Sequence, residues 1–465
     1  MAFATVTPEL IEALREIVTP EHVLTDPESR DHYGRDETED LAFPPEVIVR
    51  PSTTGEVSRI LSLANSRLVP VTPRGGGTGL SGGALPVHGG ILLSMERFTK
   101  VREIDTENLQ AVVEPGVITQ TFQEQVEGMG MFYPPDPASR GSCTIGGNLA
   151  ECAGGPRAVK YGVTRDYVLD LEAVLPTGEI LTTGARVLKN VTGYNLTQLL
   201  IGSEGTLAVI TAVTLRLIPL PRVRKVLLVA FDSLEDAAGA VAGIFQAGIT
   251  PSALEFMERA AVRVAEERLG KVFPNGSAGA QLFMELDGPY EDAVMRDVEA
   301  VAEALAAHKA IDVLVADERR KIDDVWALRR GIGEAVKSIS AYREEDTVVP
   351  RARLPELVRG VKAICQRYGI TSICYGHAGD GNVHVNLLKD RLDDAIWEAE
   401  IDRAVTEIFA LTVSLGGTIS GEHGIGYTQK PFMPLAVGKP ALEVMRGIKR
   451  LFDPNGILNP SKIFP

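Results

Sequence analysis

Apolar residues recur at two periods along this chain, and the switches between them mark out its elements. Near the start, Leu10, Ile11, Leu14, Ile17 and Val18 fall at helical spacing, and Thr7 before Pro8 supplies a helix start. Glu9, Glu12 and Arg15 break that pattern, so the segment does not read as a signal peptide. Val47–Val49 is a short apolar run, followed by Pro51. Thr53 with Glu56 then predicts a capping box ahead of a helix through Ile60, Leu61, Leu63 and Ala64. Runs at 69–71 and 91–93 complete a β-α-β unit whose glycine-rich loop follows the second strand. Further strands are predicted at 111–113, 167–175, 180–181 and 206–217, with Pro176-Thr177-Gly178 as a turn.

Beyond Pro219-Leu220-Pro221 the pattern changes. Strands at 226–231, 280–286 and 311–315 alternate with helices at 233–245, 291–307 and 319–336. Such alternation predicts a sheet covered on one face, ferredoxin-like or related to it. Residues 1–40 read as a helical N-terminal segment, 41–220 as one α+β domain and 221–410 as a second. Residues 411–465, rich in Gly and Pro, are expected to pack back on the first domain.

Composition narrows the function classes. A chain of 465 residues is too long for one ordinary core, and 45% hydrophobic with 23% charged residues suits a folded, soluble protein. The net charge of −15 leaves no basic stripe for nucleic acid. The most apolar stretch, 206–220, is broken by Thr211, Thr214 and Arg216, so no transmembrane segment is expected. None of the four cysteines lies in a C-x-x-C, which argues against a zinc knuckle or an iron–sulfur cluster and fits a cytoplasmic setting. A redox enzyme of this composition must hand its electrons to a separate protein, a quinone or a soluble acceptor.

Three glycine-rich runs carry chemistry. The first, Arg74-Gly75-Gly76-Gly77-Thr78-Gly79-Leu80-Ser81, can turn successive N–H groups onto an anion. No Gly-Lys-Ser/Thr follows it, so it is not a Walker loop, and no helical pattern opens at its end, as a Rossmann loop requires. The second runs from Gly141 to Ala150 after Pro134-Pro135-Asp136-Pro137, and the third is Gly202-Ser203-Glu204-Gly205-Thr206. This ordered set resembles the FAD domain of vanillyl-alcohol-oxidase-type flavoproteins. The resemblance implies FAD contacts from Arg74 to Ser81, then at Pro135, Asp136, Ser139, Gly141, Ser142, Thr144, Gly147 and Asn148. It implies others at Gly205, Ile210 and Asn459. Thr78 stands where many members carry a flavin-linking His, which implies FAD held without a covalent bond.

Three of the seven histidines, His377, His384 and His423, fall in the last fifth of the chain. Val383, Val385 and Leu387 alternate with His384 and Asn386, so the latter two project from one strand face. His377 arrives across a turn of glycines at 376, 379 and 381, and Gly421-Glu422-His423-Gly424 adds a carboxylate. Two His and a carboxylate suit Zn, Fe or Mn with open positions. H-x-G-D-G-N-x-H-x-N followed by G-E-H-G resembles the C-terminal domain of FAD-linked D-lactate, glycolate and D-2-hydroxyglutarate dehydrogenases. The resemblance implies His377, His384 and Glu422 as metal ligands, His423 as base and Asn386 on substrate. It also implies that Arg329, in Trp326-Ala327-Leu328-Arg329, holds the substrate carboxylate.

The lysine of dicarboxylate-specific members has no counterpart near 348–350, although Arg351 and Arg353 lie close, and the substrate leans toward D-lactate or glycolate. The expected fold is α+β, a two-subdomain FAD-binding domain of that type with a ferredoxin-like cap. The expected partners are an iron–sulfur subunit, an electron-transfer flavoprotein or a quinone, with a homo-oligomer or peripheral membrane attachment compatible. Rival readings are the FAD subunit of a multi-subunit glycolate oxidase, D-2-hydroxyglutarate dehydrogenase, a non-redox flavin transferase and a metal hydrolase.

Overall fold

The computed structural model describes residues 3–465, the Arg319 side chain excepted. They form two units. The first comprises the chain up to Gly154 with Val163–Leu220 and Glu422–Pro465, and the second comprises Gly155–Gly162 with Pro221–Gly421.

In the first unit, the helix Pro8–Val18 opens with the Thr7 hydroxyl accepting the Leu10 N–H at 3.3 Å. Its Leu10, Leu14 and Val18 enter one core with Val47, Val49, Ile60, Leu61 and Ile91. The N-terminal helix is thus part of that unit's core. The strand Ile91–Ser94 lies between Val47–Val49 and Val71–Arg74, parallel to both, with Val23–Leu24 antiparallel at the edge. The helix Thr54–Arg67 buries Val57, Ile60, Leu61 and Ala64, one stripe at i, i+3, i+4 and i+7. Thr53 Oγ1 accepts the Glu56 N–H at 3.2 Å, but the Glu56 carboxylate reaches back to the Ser52 N–H at 2.6 Å rather than to Thr53. The capping box therefore closes one residue early. A second, antiparallel sheet has the order Val101–Asp105, Gln110–Val113, Val209–Arg216, Val168–Val174, Ile180–Gly184. The end of the chain completes the parallel sheet. The Val71 N–H bonds to the Ile457 carbonyl at 2.8 Å, and the Asn459 N–H to the Val71 carbonyl at 2.7 Å.

The second unit is built on seven antiparallel strands. Their order is Asp312–Ala316, Val223–Phe231, Ala280–Gly288, Ala253–Glu258, Thr371–Gly376, Asn382–Leu388, Tyr342–Val348. Ala253–Glu258 and Asn382–Leu388 are buried at every position, so the sheet is covered on both faces, not on one. Helices Arg259–Leu269 and Arg319–Lys337 cover one face, packing Val262, Trp326 and Ile332 against Met257 and Phe283. Trp326 meets Phe283 edge-on at 4.4 Å between ring centres. Burial of each such side chain contributes roughly 1.5–3 kcal/mol.

Candidate active site

In the first unit two glycine-rich runs meet. A Cβ on Gly75 would come 2.6 Å from Thr144 Oγ1, and one on Gly76 would come 2.5 Å from the Ser142 carbonyl. Only residues without a side chain allow that approach. The second run is not all loop, because Thr144 caps a helix, Ile145–Glu151, that contains Gly146, Gly147 and Asn148. Arg74 is buried, and its Nη1 is enclosed with no hydrogen-bond partner. A buried cation beside a glycine cradle fits an anion such as a pyrophosphate. Gly77, Thr78, Gly79 and Leu80 continue the cradle, each partly exposed.

Several residues expected on the cofactor also hold the cradle together. Ser81 donates its hydroxyl to the His423 carbonyl at 2.9 Å, and its own carbonyl accepts the Tyr427 N–H at 2.7 Å. The Asn459 amide donates to the carbonyls of Gly83 at 2.9 Å and Glu204 at 2.8 Å. Asn148 donates to Thr119 Oγ1 at 2.7 Å, and the Pro135 carbonyl accepts from Gln123 at 2.8 Å. Asp136 lies buried, 3.4 Å from Arg140, and the Ser139 carbonyl closes a turn by accepting the Ser142 N–H at 2.8 Å. Gly141 lies in that turn region, while Gly205 and Ile210 flank the start of the strand Val209–Arg216.

The third glycine-rich run supplies a residue that the sequence did not single out. Glu204 accepts the N–H groups of Ile425 at 2.8 Å and Gly426 at 2.6 Å, fastening the loop just after His423. Burial raises its carboxyl above the usual range, against the pull of those two N–H groups. Glu151 is raised further, by burial and by the neighbouring Glu204, and its Oε2 is enclosed without a partner. Lys462 faces these acids, and burial lowers its ammonium to about 8.

The second unit places its polar residues on one sheet face. His377 follows the strand Thr371–Gly376, and His384 and Asn386 lie on Asn382–Leu388. The two imidazoles stand 5.1 Å apart, nearly perpendicular. Glu255 is fully buried on Ala253–Glu258, and both of its oxygens meet His377 Nδ1, at 2.8 and 2.9 Å. Arg329 Nη2 also bonds to Glu255. Burial raises the Glu255 carboxyl, but His377 and Arg329 more than offset this and hold it below the usual range. His384 Nδ1 lies 3.7 Å from Glu344 and 3.9 Å from Asp346, both on the neighbouring strand Tyr342–Val348. Asp346 also accepts the Asn382 amide at 2.6 Å and the Gly421 N–H at 2.8 Å. It thereby ties the His384 strand to the chain immediately before Glu422.

Some atoms on this face are left without partners. Arg329 Nε, both amide atoms of Asn386 and Glu344 Oε2 are enclosed with no hydrogen bond. Leaving such groups buried costs about 1–3 kcal/mol each, which a polar ligand would recover. Arg330, the next residue, instead stacks over Trp326 at 4.8 Å. Arg351 lies over Phe245 at 3.7 Å, and Arg353 pairs with Glu356 at 2.7 Å. Both thus have partners within the chain.

Residues 220–463 match the family model of FAD linked oxidases, C-terminal domain, and residues 45–184 match an FAD binding domain. The glycolate oxidase subunit GlcD of Bacillus subtilis is 38% identical over 463 residues, covering 99% of this chain and 97% of that protein. A D-lactate dehydrogenase of Anaerostipes hadrus is 39% identical over 465 residues, with 98% of each covered. The chain belongs to the FAD-linked oxidase family. It is a flavoprotein oxidoreductase that binds FAD. Its fold is that of p-cresol methylhydroxylase, a protein of the vanillyl-alcohol-oxidase type, with a TM-score of 0.82 over 99% of this chain and 98% of that one at 17% identity. Among the described residues no helix is long and apolar enough to cross a membrane.

Glu255, Glu344 and Asp346 were not legible in advance. Glu255 and Glu258 are three apart in Ala-Leu-Glu-Phe-Met-Glu, a helical spacing, and Glu344-Glu345-Asp346 reads as a solvated run. A signal did exist: two acids within a six-residue apolar stretch require buried partners.

Proposed function

We propose that this flavoenzyme oxidises a small D-2-hydroxy acid, D-lactate or glycolate, to the 2-oxo acid. The observation that carries this reading is that Arg329 Nε and the Asn386 amide are both buried without partners, Asn386 on the strand of His384 and Arg329 over the ring of Tyr375, the residue paired with His384. A guanidinium edge and an amide suit a carboxylate with an adjacent oxygen. The names of the relatives agree with that substrate class.

When bound, FAD, held without a covalent bond, supplies a hydride acceptor, and a divalent cation, Zn, Fe or Mn, supplies a Lewis acid at the substrate hydroxyl. His377 and His384 would hold such a cation, with Glu422, which follows Gly421 in the chain. His377 fits that role because Glu255 at its Nδ1 fixes the proton there and puts the ring's lone pair on Nε2. Arg329 binds and orients the substrate carboxylate through Nε, and Asn386 fixes the substrate beside it. His423 accepts the hydroxyl proton, a role in which an imidazole is the commonest general base. Bound FAD would be reoxidised by a separate acceptor, an iron–sulfur subunit, an electron-transfer flavoprotein or a quinone. A relative named as a glycolate oxidase subunit is consistent with a partner protein.

Anaerobic mixing with D-lactate, L-lactate, glycolate and D-2-hydroxyglutarate tests the reading, with and without a chelator. The expected result is flavin bleaching by D-lactate or glycolate, slowed by the chelator and absent with L-lactate. His423→Ala should keep FAD and lose bleaching by at least about 100-fold, the low end of a general base's contribution. Bleaching at the native rate in that variant would remove His423 from the mechanism.

A further inference from the structure

The second unit contains a buried carboxylate that touches two functional side chains at once. Glu255 is fully enclosed and lies 2.8 and 2.9 Å from His377 Nδ1. A carboxylate of this kind only accepts, so Nδ1 must carry the proton, and the lone pair of His377 is confined to Nε2. The same carboxylate takes Arg329 Nη2, while Arg329 Nε stays enclosed and unpaired. The helix carrying Arg329 has a second anchor one turn earlier. Trp326 Nε1 donates to Glu285 at 2.9 Å, and Glu285 lies on the strand paired with that of Glu255. Two acids on neighbouring strands thus fix the rotation of one helix face, with Arg329 on it.

We propose that Glu255 is a positioning residue that orients His377 as a metal ligand and, through the same carboxylate, turns the Nε edge of Arg329 toward the substrate. The proposal rests on the reading of His377 and His384 as metal ligands. It assigns a shared support to the metal site and to the carboxylate anchor, so that one substitution should disturb both. A buried ion pair that served only folding would leave metal affinity unchanged in any variant that still folds.

The test uses FAD-loaded protein stripped of metal and titrated with Mn²⁺ by calorimetry. Glu255→Gln keeps the shape and removes the charge, and Glu255→Asp keeps the charge and shortens the reach. Flavin absorbance and circular dichroism establish that each is folded. The expected result for Glu255→Gln is a Mn²⁺ dissociation constant raised by about 10–100-fold, the range typical of lost partners behind a metal-binding His. Glu255→Asp should regain part of that loss, and KM for the hydroxy acid should rise in Glu255→Gln even at saturating Mn²⁺. A folded Glu255→Gln within 2-fold of native in Mn²⁺ affinity, alongside a His384→Ala that no longer binds, would overturn the role of Glu255 alone. Native Mn²⁺ affinity in His384→Ala would overturn the metal reading and this proposal with it.

Discussion

Two regions of this protein bury carboxylates, and they do it in opposite ways. In the second unit Glu255 is enclosed between His377 and Arg329, and its proton affinity falls despite the burial. In the first unit Glu151 and Glu204 are enclosed beside each other; burial raises both, and the neighbouring Glu204 raises Glu151 further. Burial alone therefore does not decide the charge. What decides it is whether the neighbours outweigh the burial, as His377 and Arg329 do for Glu255, while two N–H groups and Lys462 do not for Glu204. The first arrangement fixes a charge on which ligand geometry can be built. The second fastens glycine-rich loops and tolerates a retained proton.

The largest effect should come from breaking the cation-paired arrangement. Arg329→Leu leaves Glu255 buried with His377 as its remaining partner, and removing one partner of a buried pair costs about 3–5 kcal/mol. Both tryptophans, Trp326 and Trp397, lie in the second unit, so urea unfolding followed by their fluorescence reports on that unit. A loss under about 1 kcal/mol, the range of an exposed pair, would mean that Glu255 is not a locked charge.

Glu204→Ala should cost less. It leaves the Ile425 and Gly426 N–H groups without their acceptor, at about 1–3 kcal/mol each, while relieving a carboxylate that burial penalises. The net expectation is about 2 kcal/mol, read as easier FAD release on heating. Glu204→Gln keeps an acceptor oxygen and should cost a fraction of that. If Glu204→Gln costs as much as Arg329→Leu, the two regions do not differ in kind.

Much of this was readable in the sequence, and the unread part has a physical reason. The histidines stood out because a strand period of two put His384 and Asn386 on one side of Val383 and Val385. The glycine cradle stood out because few other needs explain so many residues without a Cβ. The strand Ala253–Glu258 was invisible, since its two glutamates sit three apart and suggest a helix. Its alternation is masked because the sheet is covered on both faces and each face carries an acid. The supporting roles of Ser81, Glu204 and Asn459 depend on contacts between residues hundreds of positions apart, which no local pattern encodes. The assignment of Gly155–Gly162 to the second unit has the same origin. Lys160 and Tyr161 bond to Asp287, at 2.5 and 2.7 Å, across more than a hundred residues.

The smallest effect is the one that best separates the two arrangements, because it depends on pH and on its sign. Glu151 has a folded-state pKa raised above the ordinary 4.5, by burial first and by Glu204 second. Such a group holds its proton more tightly folded than unfolded. Its contribution to stability is complete below the unfolded value and is lost as pH rises through the folded value. Glu151→Gln cannot lose a proton, so it should match the native protein at acidic pH and exceed it once the native carboxyl ionises. The gain at pH 8 should be about 1 kcal/mol, the cost of an enclosed oxygen without a donor. Glu255→Gln should behave in the reverse sense. Its native carboxyl is held below the usual range, so stability that is present at neutral pH is lost as pH falls, and the variant lacks it throughout. Melting temperatures of both variants followed from pH 8 to well below 4.5 would therefore depart from the native curve in opposite senses, Glu151→Gln on the alkaline side and Glu255→Gln on the acid side. Curves that run parallel to it would show that neither carboxylate is set apart by its neighbours.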